Sequence, residues 1–170
     1  VSQYGITDVN WDILCADTLS VSKYNQQMDY VVGNPPYVRV HNLESSYESV
    51  KAYQFANGGM TDLYLVFFEI GFNMLKANGQ LCYITPSSWL NSVAADNLRR
   101  YIIHHQNLVT LIDLGHFQAF DKITTYTLIS HFKKSHCNSK FNYYSYNANT
   151  KSSYFVENLD LQDIYIDSYF

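Results

Sequence analysis

Cysteine is scarce in this 170-residue chain, and the spacing of what there is excludes two classes of protein. Cys15, Cys82 and Cys137 are odd in number, far apart and free of any C-x-x-C pairing, so neither a disulfide framework nor a thiolate metal site is written into them. The thiols read as reduced, and the chain as a cytoplasmic protein or a piece of one. The six histidines, at 41, 104, 105, 116, 131 and 136, form no H-E-x-x-H or related constellation, so no metal is expected. Positive charge is short as well: 11 Lys and Arg face 15 Asp and Glu, for a net charge of −4 and a pI near 5.8. A self-sufficient nucleic-acid binder normally shows a basic stripe, so any DNA contact leans on other parts of a protein. Long apolar runs are missing; none approaches the roughly 18 residues that a membrane helix needs, and no charged leader with a cleavage site opens the chain.

What is present suits a packed domain. Hydrophobic residues make up 47% and aromatics 16%, ample for one core at this length. Strand-like and helix-like stretches alternate, which predicts an α/β fold with a largely parallel sheet. WDILCAD (11 to 17) and MDYVVG (28 to 33) read as the first two strands, and residues 37 to 60 as a long excursion. Leu63, Val66, Phe67, Ile70 and Met74 follow helical spacing over 63 to 76, with Thr61 or Asp62 as N-cap and ANG (77 to 79) as the stop. Phe68, Phe72 and Leu75 make the far side of that helix apolar too, so it should be largely buried. QLCYITP (80 to 86) reads as a third strand, SSWLNS as a loop into a helix at 93 to 104, LVTLIDLG (108 to 115) as a fourth strand and TTYTLISHFKK (124 to 134) as a fifth. The link between the last two has no helical period, so the final strand should run antiparallel to the fourth. The tail from 135 to 170 has no clear period and reads as an edge strand or the start of a following region.

Of only three prolines, two stand together in Asn34-Pro35-Pro36-Tyr37, directly after the second strand. Open parallel sheets bind ligands beyond the carboxyl ends of their strands, which is where this turn falls. The prolines lock their own φ angles and restrict the residues before them, so the turn is stiff. Neither has an N–H, and the turn therefore presents acceptors: the Asn34 side-chain carbonyl and the Pro35 backbone carbonyl. Two acceptors at a fixed separation suit an amino group with two hydrogens. The exocyclic amine of adenine gains positive charge as it attacks a methyl group, and prearranged carbonyl dipoles stabilise that charge. Tyr37 offers a face on which a base drawn out of a duplex can stack, and Gly33 permits close approach. An ordinary proline turn with a surface tyrosine is the plain alternative.

These residues resemble a known family. Asn34-Pro35-Pro36-Tyr37 looks like the catalytic motif of S-adenosylmethionine-dependent amino methyltransferases. TDLYLVFFEIGFNMLKANGQLCYITPSSWLNS (61 to 92) looks like the segment that follows it in gamma-class N6-adenine DNA methyltransferases, including those of type IIG restriction-modification enzymes. The likeness spans about residues 10 to 134. It implies a Rossmann-like S-adenosylmethionine-dependent methyltransferase fold, with Asn34 and Pro35 binding the target amine and Tyr37 stacking on the flipped adenine. It further implies Asp17 near the cofactor's adenine, Phe67 packed on that adenine, and Phe120 as a second ring against the flipped base. Taken alone, Asp17 reads equally as a turn residue and Phe67 as core on an apolar stripe. Phe120 is followed by Asp121 where the family usually has proline.

The chain departs from the family in one respect: no G-x-G precedes Asn34, and 16 residues precede Asp17. Residues 1 to 134 therefore read as the later half of a methyltransferase domain, without the glycine-loop half that holds S-adenosylmethionine and without a DNA-recognition domain. Double-stranded DNA is the expected partner of the complete enzyme, and the fragment alone is expected to be inactive. Two other readings stand: methylation of a protein glutamine amide, which uses the same turn, and a non-catalytic module that pairs with a second copy or with the missing half.

Overall fold

The computed structural model describes residues 5, 7–40, 47–56, 61–117, 125–135 and 138–165. Its elements follow the predicted alternation: β1 (Met28–Gly33), α1 (Tyr47–Val50), α2 (Leu63–Met74), β2 (Leu75–Pro86), α3 (Asp96–His105), β3 (Leu108–Asp113), β4 (Thr127–Lys133), β5 (Lys140–Asn147) and β6 (Ser152–Asp160). They build one six-stranded sheet in the order β1-β2-β4-β3-β5-β6. β1 is parallel to β2 and β3 to β5, while β4 is antiparallel to both its neighbours and β6 to β5. Four strands thus share one direction and β4 and β6 reverse it, a mixed α/β sheet of the expected kind. The last strand before residue 134 does run against the fourth, and it does so by inserting between β2 and β3.

Several local expectations need correction. Residues 11 to 17 form no strand: Trp11 and Ile13 are 66% and 84% exposed, and among the described residues β2 is the only sheet partner of β1. Apolar alternation yields a strand only where a neighbour accepts its backbone groups, and none of the described strands lies there. The helix expected to reach 76 ends at Met74, because Leu75 turns extended and pairs with Met28 in β1. The ANG stretch then lies inside β2 as an irregularity, with Asn78 at φ 62° and a register shift between Met28 and Tyr30. A Cβ at Gly79 would come 2.9 Å from the Met28 carbonyl, so glycine is needed there for close approach, not as a helix stop. SSWLNS holds a 3-10 turn, Ser87–Leu90, a second follows at Val93–Ala95, and α3 starts only at Asp96.

Strand alternation divides the sheet into two faces. On one, Leu81, Tyr83, Leu111, Leu128 and Phe132 are buried beneath α2 and α3, whose Phe68, Phe72, Leu98 and Ile102 complete a single cluster. Phe68 is its hub, with ring contacts at 5.5 Å to Tyr83, 6.1 Å to Trp89 and 5.7 Å to Phe132. As expected, most of α2 is buried. The sheet continues past residue 134, since β5 lies beside β3, β6 forms the edge, and Phe141, Leu159, Leu161 and Ile164 join the same core. Among the described residues, no helix is long and apolar enough to cross a membrane.

Candidate active site

The Asn34–Tyr37 turn is tied at both ends. Before it, Gly33 pairs with Tyr83 of β2, and a Cβ at Gly33 would lie 3.3 Å from the Tyr83 ring. After it, the Val38 carbonyl accepts from Leu63 N at 2.8 Å, and Val40 N donates to the Thr61 carbonyl at 2.9 Å, which fastens the chain to the start of α2. Within the turn the prolines divide the work: Pro35 is buried and anchors, while Asn34 and Pro36 are exposed. The Asn34 side chain meets no hydrogen-bond partner among the described residues, leaving its carbonyl and amide available.

Tyr37 is half-buried and held. Its hydroxyl donates to the Ile84 carbonyl at 3.2 Å, and its ring meets Tyr64 edge-on at 6.4 Å and 76°. The Tyr64 hydroxyl lies 3.0 Å from Ser88 Oγ, so three elements, the turn, α2 and the loop after β2, converge on these rings. Burial pushes the Tyr37 phenol up and drives that of Tyr64 up to about 12. Both are neutral near pH 7, suited to stacking and hydrogen bonding and not to proton abstraction. The loop that carries Ser88 is itself held by the buried Arg99, whose Nη1 donates to the Trp89 carbonyl at 2.8 Å and the Ser92 carbonyl at 2.7 Å. Tyr64, Ser88 and Arg99 were not singled out from sequence. Ser88 carried a readable signal, standing two residues past the carboxyl end of a predicted strand; Tyr64 and Arg99 look like ordinary helix residues until α2 and α3 are packed.

The other sequence-predicted positions fall at different distances from this turn. Phe67 is half-buried between the two apolar clusters, and its carbonyl accepts from the Tyr83 hydroxyl at 3.3 Å, so Tyr83 links Phe67 to Gly33. Asp17 is exposed and caps the 3-10 turn Thr18–Ser20, accepting from Leu19 N at 3.0 Å through Oδ1. No hydrogen bond or ring contact joins Asp17 to Asn34, Pro35 or Tyr37 among the described residues. Phe120 lies outside the described residues. No group of three or more His, Cys, Asp or Glu among the described residues is arranged to hold a metal.

Two cavities lie farther along the same sheet edge. One of about 280 Å³ is lined by Ser87, Leu90 and Asn91 after β2 and by Asp113, His116 and Tyr126. The other, about 740 Å³, opens at the ends of β3 and β5.

Comparison with known proteins gives this geometry a context. The sequence matches the family described as Eco57I restriction-modification methylase over residues 3–120. It is 31% identical over 133 residues to the type II restriction enzyme and methyltransferase RM.Eco57I of Escherichia coli, covering 74% of this chain and 13% of that protein. It is 28% identical over 125 residues to the type II methyltransferase M.AccI of Acinetobacter calcoaceticus, covering 71% of this chain and 23% of that one. The chain therefore spans less than a quarter of the length of these relatives. Among solved structures, the fold is shared with the type IIG restriction endonuclease BpuSI (TM-score 0.64, 11% identity, 88% of this chain and 21% of that one). It is shared also with a type I restriction-modification methyltransferase subunit from Streptococcus thermophilus (TM-score 0.62, 20% identity, 84% and 32%). The match over more than half of its residues settles the relationship: this chain belongs to the Eco57I restriction-modification methylase family.

Proposed function

We propose that this chain is the amine-binding part of a DNA methyltransferase that methylates the N6 amine of an adenine turned out of the duplex. The observation that carries the reading is a stiff turn, fastened on both sides, that leaves Asn34 exposed with its polar atoms free beside a pinned aromatic ring. The Asn34 and Pro35 carbonyls accept from the two hydrogens of the amine. As the nitrogen gains a bond it loses conjugation with the ring and becomes positive, and the two carbonyl dipoles stabilise that charge. Tyr37 takes the face of the base; its orientation is held before the base arrives, which lowers the ordering cost of stacking. The spent proton leaves to solvent, so no general base is assigned, in keeping with the neutral phenols around the turn.

S-adenosylmethionine supplies the electrophilic methyl in this chemistry. Its fit to these residues is partial: the Asp17 carboxylate is exposed with only Oδ1 engaged in its own turn, and Phe67 keeps part of its ring open. These two would hold the adenine end. The names of the relatives, type II methyltransferases, favour DNA over a protein amide as substrate.

The test is Asn34→Ala in the full-length protein. Methyl transfer to an adenine-containing duplex should fall on the order of 100- to 1,000-fold while duplex affinity is kept. Unchanged turnover removes Asn34 from this role.

A further inference from the structure

We propose that the groove at the ends of β3 and β5, with the β5–β6 turn beside it, is a second DNA contact that holds duplex flanking the target base. This inference rests on the reading above, and it concerns residues which that reading does not use.

Placement is the first argument. β1, β3 and β5 point the same way, so the groove opens on the sheet edge that carries Asn34. From β1 to β5 is four strand steps, about 19 Å at the usual spacing. That is about five to six base steps at the 3.4 Å rise of a strand in duplex DNA. The path between is continuous, because Gly115 and His116 line both cavities and so join the Ser87–Asn91 loop to Tyr146 and Asn147.

Chemistry is the second. In a chain of net charge −4, the described residues that line the groove include no carboxylate. Asp113 borders the adjoining cavity, but its oxygens accept from Gly115 N at 2.7 Å and from the Tyr143 hydroxyl at 3.2 Å, which turns the charge toward the protein. Rings stand open to solvent here: Phe117 is 39% and Tyr154 54% exposed, and Phe117 rests against Tyr146 at 4.9 Å. Exposed rings in a groove whose described lining carries no carboxylate suit the sugar and base edges of a polyanion. The β5–β6 turn, whose Asn147 and Ala148 line the groove, carries a cation. Asn147 Oδ1 accepts from Asn149 N at 2.9 Å and orders the turn, and Lys151 stands exposed at its end, without an ion pair among the described residues.

The test uses the full-length protein and fluorescence anisotropy with labelled duplexes. One carries eight base pairs on each side of a target adenine; two others are cut to three base pairs on one side or the other. Wild type should lose affinity on one truncation and not on the opposite one. On the long duplex, Lys151→Glu should lower the slope of log affinity against log salt by about one. Tyr154→Ser should weaken binding on the order of fivefold with the slope unchanged. Neither variant should differ from wild type on the sensitive truncated duplex. Both side chains are exposed, and circular dichroism checks that the variants fold. Equal binding by wild type and variants at every duplex length, in a protein that still methylates adenine and loses that activity on Asn34→Ala, overturns the groove alone. A wild type that neither binds duplex nor transfers methyl overturns the function and the groove together. Rings shielded from iodide quenching without DNA would mean that another part of the polypeptide covers them, and would likewise overturn the groove.

Discussion

β1 and β2 lie side by side, paired from Tyr30 to Gly33, and carry similar apolar residues, yet those residues differ widely in exposure. In β2, Leu81 and Tyr83 are 0% and 5% exposed; in β1, Tyr30 and Val32 are 69% and 78% exposed. β2 has a strand on each side and α2 above it. β1 is paired on one side, and its outer edge and one of its faces stay open among the described residues. Tyr30 and Val32 pair with Gln80 and Cys82, on the face opposite to Leu81 and Tyr83, whereas Val31, paired with Leu81, packs partly buried against the core; the same side-chain chemistry is therefore core or surface according to the face it takes and what covers that face. The turn that ends β1 draws its rigidity from the well-packed side, through Tyr83, Ile84 and the start of α2, and faces outward on the open one.

That contrast can be broken or sharpened by measurement. The largest effect belongs to the packed side: Phe68→Ala removes the ring at the centre of the cluster and should cost about 3 to 5 kcal/mol in chemical denaturation. A loss under half of that would mean the two strands differ less than their burial suggests. Alkaline pH should come next. Tyr64 is held neutral by burial, with its phenol up to about 12 against 10 for a free one. Its contribution is fully present below pH 10, and is lost as pH rises from 10 through 12, at most on the order of 3 kcal/mol. Denaturation followed across that range should show the decline, and Tyr64→Phe should make it shallower, leaving the share that Tyr83, Tyr143 and the other buried phenols contribute. Gly71→Ala tests how tightly α2 meets β2: its Cβ would fall on Leu81 and the Tyr83 hydroxyl, and a loss of about 1 to 3 kcal/mol is expected. The smallest effect is on the open side, where Val32→Thr should change stability by no more than about 0.5 kcal/mol. A loss several times larger would show that the open face is covered after all.

The turn was the most readable part of the candidate site, because proline geometry and missing N–H groups are local properties of Asn34-Pro35-Pro36-Tyr37. α2 was readable for a similar reason, its apolar spacing being dense enough to need no context. The stretch 11 to 17 misled, since alternation reports which residues are apolar and not whether a neighbouring strand is present. Asp17 reads from sequence as a cap or as a ligand, and its bond to Leu19 N shows the capping geometry. The ANG stretch carried the composition of a helix stop, but Met28 of β1 had already claimed Leu75 for the sheet.

By itself, then, the sequence determined the stiff acceptor-bearing turn, the buried helix behind it and the alternation that makes an α/β fold, since each depends on bonds and side chains a few residues apart. Only the tertiary structure decided that β4 inserts between β2 and β3, that the tyrosine-rich tail extends the sheet, and that Tyr64, Ser88 and Arg99 brace the turn. Those contacts join residues tens of positions apart, and which of them form depends on the packing of the whole core.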